Sequence, residues 1–178
     1  MSTVLTVLMK IPDIEGSSDI SGFEKYIKIN GTRFPEFDKS ISYSNGGPTE
    51  GKKVTFSNVS YLVDDKKAIN QILEKIKPGM KIKTMIEVVL VNAPADGAAS
   101  KQRHARYFNS ILKCGAPQQN GKLEIEIITG FVELGIYKTN DKSSAVQTLT
   151  QIDVQRSEVL DKDMTAEKAA QQAVDDGW

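Results

Sequence analysis

The segment from Gly46 to Leu90 constrains the fold more than any other part of the chain. It contains a glycine-rich stretch, a strand pattern, a short amphipathic helix pattern and a second strand pattern. In the first strand the apolar residues occupy even positions at Val54 and Phe56, then odd positions from Val59 onward. Side chains along a strand alternate with a period of two, so this change of parity predicts a β-bulge or a bend at Ser57-Asn58.

A helix is predicted over about residues 66–77. Its apolar stripe recurs at i, i+3, i+4 and i+7 and consists of Ile69, Ile72, Leu73 and Ile76. The carboxylates of Asp64-Asp65 suit the exposed N–H groups of the first turn, and Pro78-Gly79 end the helix. Each buried stripe residue contributes roughly 1.5–3 kcal/mol, whereas a helix of this length is marginal alone. We therefore expect the stripe to pack on the rest of the protein.

Most of the remaining chain alternates apolar and polar residues. An N-terminal run, Thr3 to Ile11, is apolar on both faces, as in a strand that is covered on both sides or lies at the centre of a sheet. A second parity change surrounds Gly130, which is typical of a bulge or a barrel corner. About seven to nine such strands predict a mainly β protein, either a small bent β-barrel or a two-sheet sandwich, forming one domain over 1–178.

Two further segments favour helices. In the segment 98–113 the apolar residues are spaced as on one side of a helix; they are Tyr107, Phe108, Ile111 and Leu112. An extra helix over about 98–113 is therefore predicted, with one or two irregular strands as the alternative. A short C-terminal helix is predicted from Thr165 to Val174. Because so short a helix is marginal alone, we expect it to be exposed, docked on a neighbour or frayed.

Charge and cysteine content exclude several classes of function. The chain has 23 basic and 23 acidic residues and a net charge of zero, which removes the electrostatic case for nucleic acid or membrane as partner. Cys114 is the single cysteine, so an intrachain disulfide and a thiolate-rich metal site are excluded. The N-terminus lacks the charged start and cleavage motif of a signal peptide, so any export is expected without a cleaved leader.

No catalytic constellation is evident in the sequence. His104, the single histidine, precedes Cys114 by ten residues, roughly 15 Å along the predicted helix and too far for a proton relay. We expect a surface histidine and a part-buried thiol. Glu124 and Glu126 share a strand face, and two carboxylates roughly 7 Å apart can serve a glycosidase. Alternation on a solvated face explains them without chemistry, so we expect no enzyme, no metal and no cofactor.

The glycine-rich stretch favours an interaction loop. It lacks the Lys-Ser/Thr ending of a phosphate-binding loop and precedes a strand instead of a helix. We expect this loop to contact a neighbouring subunit or ring through Ser44, Asn45, Gly46, Gly47, Pro48, Thr49, Glu50 and Gly51.

Three segments resemble the haemolysin co-regulated protein family, and the likeness covers most of residues 7–156. The family's opening strand, turn and second strand are matched by Ile11, Ile14, Glu15, Gly16, Ser17, Ile27 and Ile29. Its glycine-rich loop, K-V-x-F strand and helix are matched by Gly46, Gly47, Gly51, Lys53, Val54, Phe56, Asp64, Ile72, Leu73 and Gly79. Residues 123–155 are similar to its closing strands. The family's aromatic motif is replaced by Ile41-Ser42-Tyr43-Ser44, residues 92–120 look like an insertion, and the tail 161–178 is unusual.

The resemblance implies a tail-tube-like β-barrel with a flanking helix. It further implies hexameric rings that stack into the inner tube of a type VI secretion apparatus, assembled in the bacterial cytoplasm and ejected into target cells. Sheath, spike and effector proteins would then be partners. Two alternatives remain open: a phage or prophage tail-tube subunit, and a non-enzymatic β-sandwich binding module with a ligand site in residues 92–120.

Overall fold

Eleven strands and two helices form the described part of the chain, which in the computed structural model comprises residues 4–57, 59–95, 97–138 and 146–178. The strands are β1 (Leu5–Lys10), β2 (Ile27–Asn30), β3 (Phe37–Ser44), β4 (Gly47–Phe56), β5 (Ser60–Val63), β6 (Lys81–Ile82), β7 (Ile86–Asn92), β8 (Ser100–Cys114), β9 (Leu123–Tyr137), β10 (Val146–Asp153) and β11 (Glu158–Val159). The helices are α1 (Lys66–Lys75) and α2 (Ala166–Asp175). The predicted mainly β class and flanking helix are confirmed.

Six strands close into a barrel. Neighbours pair in the order β9-β5-β2-β1-β7-β8, and β8 pairs with β9 to complete the circuit. Every pairing is antiparallel. The sheet also continues outward from β9 through β10, β11 and β4 to β3. The predicted small barrel is therefore confirmed, with an outer extension on one side.

The two ends of the barrel are filled differently. At the end where β5 leads into α1, the helix packs Ala68, Ile69 and Ile72 into the core. At the opposite end, Phe34 and Phe56 pack against the same core. The predicted bend before β5 falls between the end of β4 and Ser60, and Asn58 lies outside the described residues.

The helix predicted over about 98–113 is wrong, because this segment forms β8 between β7 and β9. Asn109 has a positive φ of 53°, and at this point the buried register shifts from Ala105 and Tyr107 to Ser110 and Leu112. Because of this shift in register, the apolar residues of the two strand faces, Tyr107, Phe108, Ile111 and Leu112, fall at spacings of three and four residues, as on one side of a helix. Burial of a strand on both faces, with a local break, therefore explains the misleading pattern.

The parity change around Gly130 is confirmed as a corner of the barrel. β9 is one continuous strand, but its first half pairs with β5 and its second half pairs with β10. Its buried residues include Leu123, Ile125 and Ile127 before the corner and Val132 and Leu134 after it.

The C-terminal helix is confirmed, but it packs on its own barrel instead of being wholly exposed or frayed, while docking of its outer face on a neighbour stays a prediction. Ala166, Ala169 and Ala170 are buried. The side chain of Asn109 donates to the carbonyl of Ala170 at 3.0 Å, and the backbone N–H of Ala166 donates to Gln151 Oε1 at 2.9 Å. Small alanine side chains allow this close approach to the sheet.

Candidate assembly surfaces

The predicted interaction loop 44–51 is the tip of a β-hairpin, and the loop prediction is wrong in this respect. β3 and β4 pair up to Ser44 and Gly47, so only Asn45 and Gly46 form the turn. Gly47 has φ of 121°, a conformation that requires glycine. Pro48 is compatible with pairing because, among the described strands, β4 has only β3 beside it at this position. We call residues 41–50 the arm.

Two strands present open edges. β3 ends the sheet and pairs only with β4 among the described strands. β10 pairs with β9 along its length but with β11 only at Ile152 and Asp153, so residues 146–150 have no strand on their other side within the described ranges. Open strand edges are templates for the addition of another strand. The arm and β10 are therefore candidate contacts between copies of this chain.

Asp65 fixes the start of α1 to the barrel. Its carboxylate accepts backbone hydrogen bonds from Ala68 at 3.3 Å, Ser17 at 2.8 Å and Lys28 at 3.2 Å. Burial raises the pKa of Asp65, but these three donors outweigh burial and bring the pKa below its usual value. The residue is an N-cap, whereas the adjacent Asp64 is exposed.

The predicted stripe of α1 divides between the core and a surface groove. Ile69 and Ile72 are buried and Ile76 packs partly on the core, but Leu73 is 44% exposed. A groove of about 430 Å³ runs between this edge of α1 and strands β8 and β9. Leu73 and the 48% exposed Ile128 both line it. Such an apolar surface is a third candidate contact, after the arm and β10.

A partly buried carboxylate on the outer face of the barrel, Glu133, organises a polar network that was missed from the sequence. Glu133 accepts hydrogen bonds from His104 Nε2 at 2.9 Å, Arg106 Nη1 at 3.1 Å and Gln151 Nε2 at 2.9 Å. The hydrogen bond from His104 is the largest of the causes that lower the pKa of Glu133 to about 2. Through Gln151, the network reaches the first residue of α2.

Arg106 extends this network to a second carboxylate. Its Nε donates to Glu87 at 2.8 Å, and the hydroxyl of Tyr26 donates to the same carboxylate at 2.8 Å. Burial raises the pKa of Glu87, but Arg106 is the chief of the partners that bring it below its usual value. The network thus connects the segment before β2 with β7 and β8. Glu87 stands inside an apolar strand pattern, which is a signal in the sequence for a buried, partnered carboxylate.

His104 is buried, so the predicted surface histidine is wrong. It is 1% exposed and lies against Gly135, where any side chain would overlap the imidazole ring. A carboxylate only accepts, so Nε2 carries the proton given to Glu133, and Nδ1 forms a second hydrogen bond with the hydroxyl of Tyr137 at 2.7 Å. The imidazole is therefore fully used in holding β8 to β9.

The other candidates for chemistry stand apart from one another. His104 and Cys114 are separated by ten residues of strand, roughly 33 Å. Burial raises the pKa of the Cys114 thiol. Glu124 is exposed and Glu126 half-buried on the outer face of β9. Within the described ranges no three His, Cys, Asp or Glu side chains are grouped to hold a metal ion, and neither helix has the length and apolar character to cross a membrane.

Comparison with known proteins finds similarity in structure only. No family model matches the sequence, and no curated protein matches it. Hcp1 from Salmonella typhimurium is similar with a TM-score of 0.59 and 14% identity, over 88% of this chain and 99% of that one. A type six secretion system protein is similar with a TM-score of 0.60 and 11% identity, over 88% of this chain and 100% of that one.

A variant of Hcp1 from E. coli EAEC 042 gives a TM-score of 0.55 and 12% identity, over 86% of this chain and 99% of that one. The aligned region includes nearly all of each of these proteins. Identities this low establish similarity of fold. The chain therefore has an Hcp-like fold, that of haemolysin co-regulated proteins of type VI secretion.

Proposed function

We propose that this chain is a ring-forming subunit of the inner tube of a type VI secretion apparatus. The observation that carries the proposal is the closed barrel, whose likeness to Hcp1 extends over 88% of this chain and 99% of that protein. Six copies form a ring, and rings stack into a tube that is assembled in the bacterial cytoplasm and ejected into target cells. The role is structural and non-enzymatic, with sheath, spike and effector proteins as partners.

Two features of the surface support ring formation. A closed ring uses head-to-tail contacts, which require two different complementary surfaces on each subunit. The arm is a two-stranded ribbon that carries the open edge of β3, and β10 has an open edge elsewhere in the sheet within the described residues. We assign Ser44–Gly51 to a subunit or ring contact, with strand pairing as its physical basis.

The charge balance supports stacking of identical subunits. With 23 residues of each sign, the chain carries no net charge that would repel another copy. The exposed apolar residues Leu73 and Ile128 add surface whose burial favours association. The absence of net repulsion and the burial of apolar surface therefore favour association, as does pairing of the open strand edges.

Light scattering coupled to size exclusion tests the proposal. We expect a particle mass near 118 kDa, six times the 19.6 kDa of one chain, or larger stacks of it. A chain that remains at 19.6 kDa over a wide range of concentrations would be a monomeric binding module instead.

A further inference from the structure

A cleft at the end of the barrel opposite α1 contains two arginines. It has a volume of about 670 Å³ and lies beside the base of the β3–β4 hairpin. Its polar and aromatic lining includes Arg33, Phe34, Glu36, Ser57, Ser60 and Arg103. The charged residues of this set are two arginines and one glutamate, so the lining of the cleft carries a net positive charge.

Arg103 is held at the mouth of the barrel. It shares the register of Ala105 and Tyr107, whose side chains are buried in the barrel core. Its guanidinium lies 5.1 Å from the centre of the Phe34 ring, and Phe34 itself packs against the core. The strand register and this cation–π contact therefore position a half-buried cation at the barrel mouth.

This cation lacks the partners that a neighbouring arginine has. Arg106, three residues further along β8, donates to the carboxylates of Glu87 and Glu133. Neither Arg103 nor Arg33 forms an ion pair or hydrogen bond with a side chain or carbonyl in residues 4–57, 59–95, 97–138 and 146–178. A partly desolvated guanidinium gains most from an anion that accepts two parallel N–H bonds.

We propose that this cleft binds a small oxyanion, a carboxylate or phosphate group, with Arg103 as its principal donor. Arg33 supplies the second positive charge, and the hydroxyls of Ser57 and Ser60, which also line the cleft, supply further donors. Glu36 is exposed in the cleft and repels the ligand, which makes it a charge that limits affinity. This site is independent of ring formation and of the proposed tube function.

Calorimetric titration with sodium pyrophosphate and with sodium citrate tests the site, with sodium chloride at matched ionic strength as the reference. We expect saturable binding of at least one of the two anions to the full chain. Binding of pyrophosphate alone identifies a phosphate site, and binding of citrate alone identifies a carboxylate site. Either result supports the proposal, whether the protein is a ring or a monomer.

Four variants make the titration specific. Arg103→Ala is expected to weaken binding at least tenfold and Arg33→Ala by a smaller factor, while Glu36→Gln strengthens it severalfold. Arg156→Ala is the matched control. Arg156 is 78% exposed and lies outside the cleft, so this substitution removes the same charge without changing the cleft. Glu36→Gln changes an exposed side chain and so keeps the test valid even if Arg103→Ala does not fold.

Two results would overturn the proposal. One is the absence of saturable heat with both anions above the chloride reference. The other is an equal loss of affinity in Arg103→Ala and Arg156→Ala, or no gain in Glu36→Gln, since bulk charge and not the cleft would then explain the binding.

Discussion

At the scale of single residues, Asp65 joins three segments through one carboxylate. Asp65→Ala leaves the N–H groups of Ser17, Lys28 and Ala68 without this acceptor and removes the cap of α1. We expect the free energy of unfolding to fall by about 2–4 kcal/mol in urea denaturation. Asp64→Ala, at the exposed neighbouring position, is the control and should change it by less than about 0.5 kcal/mol. Equal losses at the two positions would contradict this role.

Glu133 gives the protein a pH-dependent stability. Its pKa is about 2 in the folded state against a usual 4.5. A carboxyl with a depressed pKa stabilises the fold fully above its unfolded pKa, and this contribution is lost as the pH falls toward the folded pKa. Glu133→Gln should therefore lower the free energy of unfolding by up to about 3 kcal/mol at pH 7.

The difference between wild type and Glu133→Gln should shrink between about pH 4.5 and pH 2, following the pKa shift. Urea denaturation of both proteins at pH 7, 4 and 3 measures this difference in the free energy of unfolding. Glu124→Gln is the matched control on the same strand and should remain near wild type throughout. A difference that does not change with pH would show that Glu133 acts through packing alone.

Residue roles were only partly accessible from the sequence. The cap at Asp65 was predicted because its partner Ala68 is three residues away. The contact between His104 and Glu133 was missed because it joins positions 29 apart on paired strands, and their register depends on the closure of the barrel. Glu87, an acid within an apolar strand, was the available signal.

At the scale of elements, local periodicity was sufficient for α1 and insufficient for β8. The apolar stripe of α1 lies on one face, so its spacing alone identified the helix. β8 is covered on both faces and changes register near Asn109, so its spacing resembled that of a helix. The arm was missed because glycine and proline favour loops locally, whereas strand pairing extends through both Gly47 and Pro48.

Substitutions at two adjacent residues of α1 distinguish a role in folding from a role in assembly. Ile72 is 1% exposed, and Ile72→Ala should lower the free energy of unfolding by about 2–5 kcal/mol because it leaves a cavity. Leu73 is 44% exposed, and Leu73→Ala should lower it by less than about 1 kcal/mol. If the groove is a subunit contact, Leu73→Ala reduces the particle mass in light scattering. Similar losses of stability in both variants would contradict this division.

The arm is expected to act in assembly and not in folding. Replacing residues 42–49 with Asn-Gly closes the hairpin beside Ile41 and Glu50, since this dipeptide favours a two-residue turn. Substituting bulky residues for Gly46, Gly47 and Gly51 is the milder change, and Gly47 is the most sensitive because of its positive φ. We expect an unchanged circular dichroism spectrum and weaker assembly by light scattering. An unchanged circular dichroism spectrum together with unchanged assembly would show that the arm is not part of a subunit contact.

At the scale of the whole molecule, the barrel depends on pairings between distant parts of the sequence. The parity change at Gly130 predicted a corner, and the structure shows β9 exchanging β5 for β10 there. No local pattern specifies that β8 pairs with β9 to close the circuit. The sequence therefore indicated a bent β protein, while strand order and the buried outer network follow from closure.

The central claim is that this chain forms sixfold rings. Negative-stain electron microscopy of the purified full chain, with class averages calculated without imposed symmetry, tests it most directly. We expect ring-shaped averages with six equal lobes and a central hole, together with side views of stacked rings. Uniform particles the size of a single 19.6 kDa chain at every concentration examined would contradict the claim.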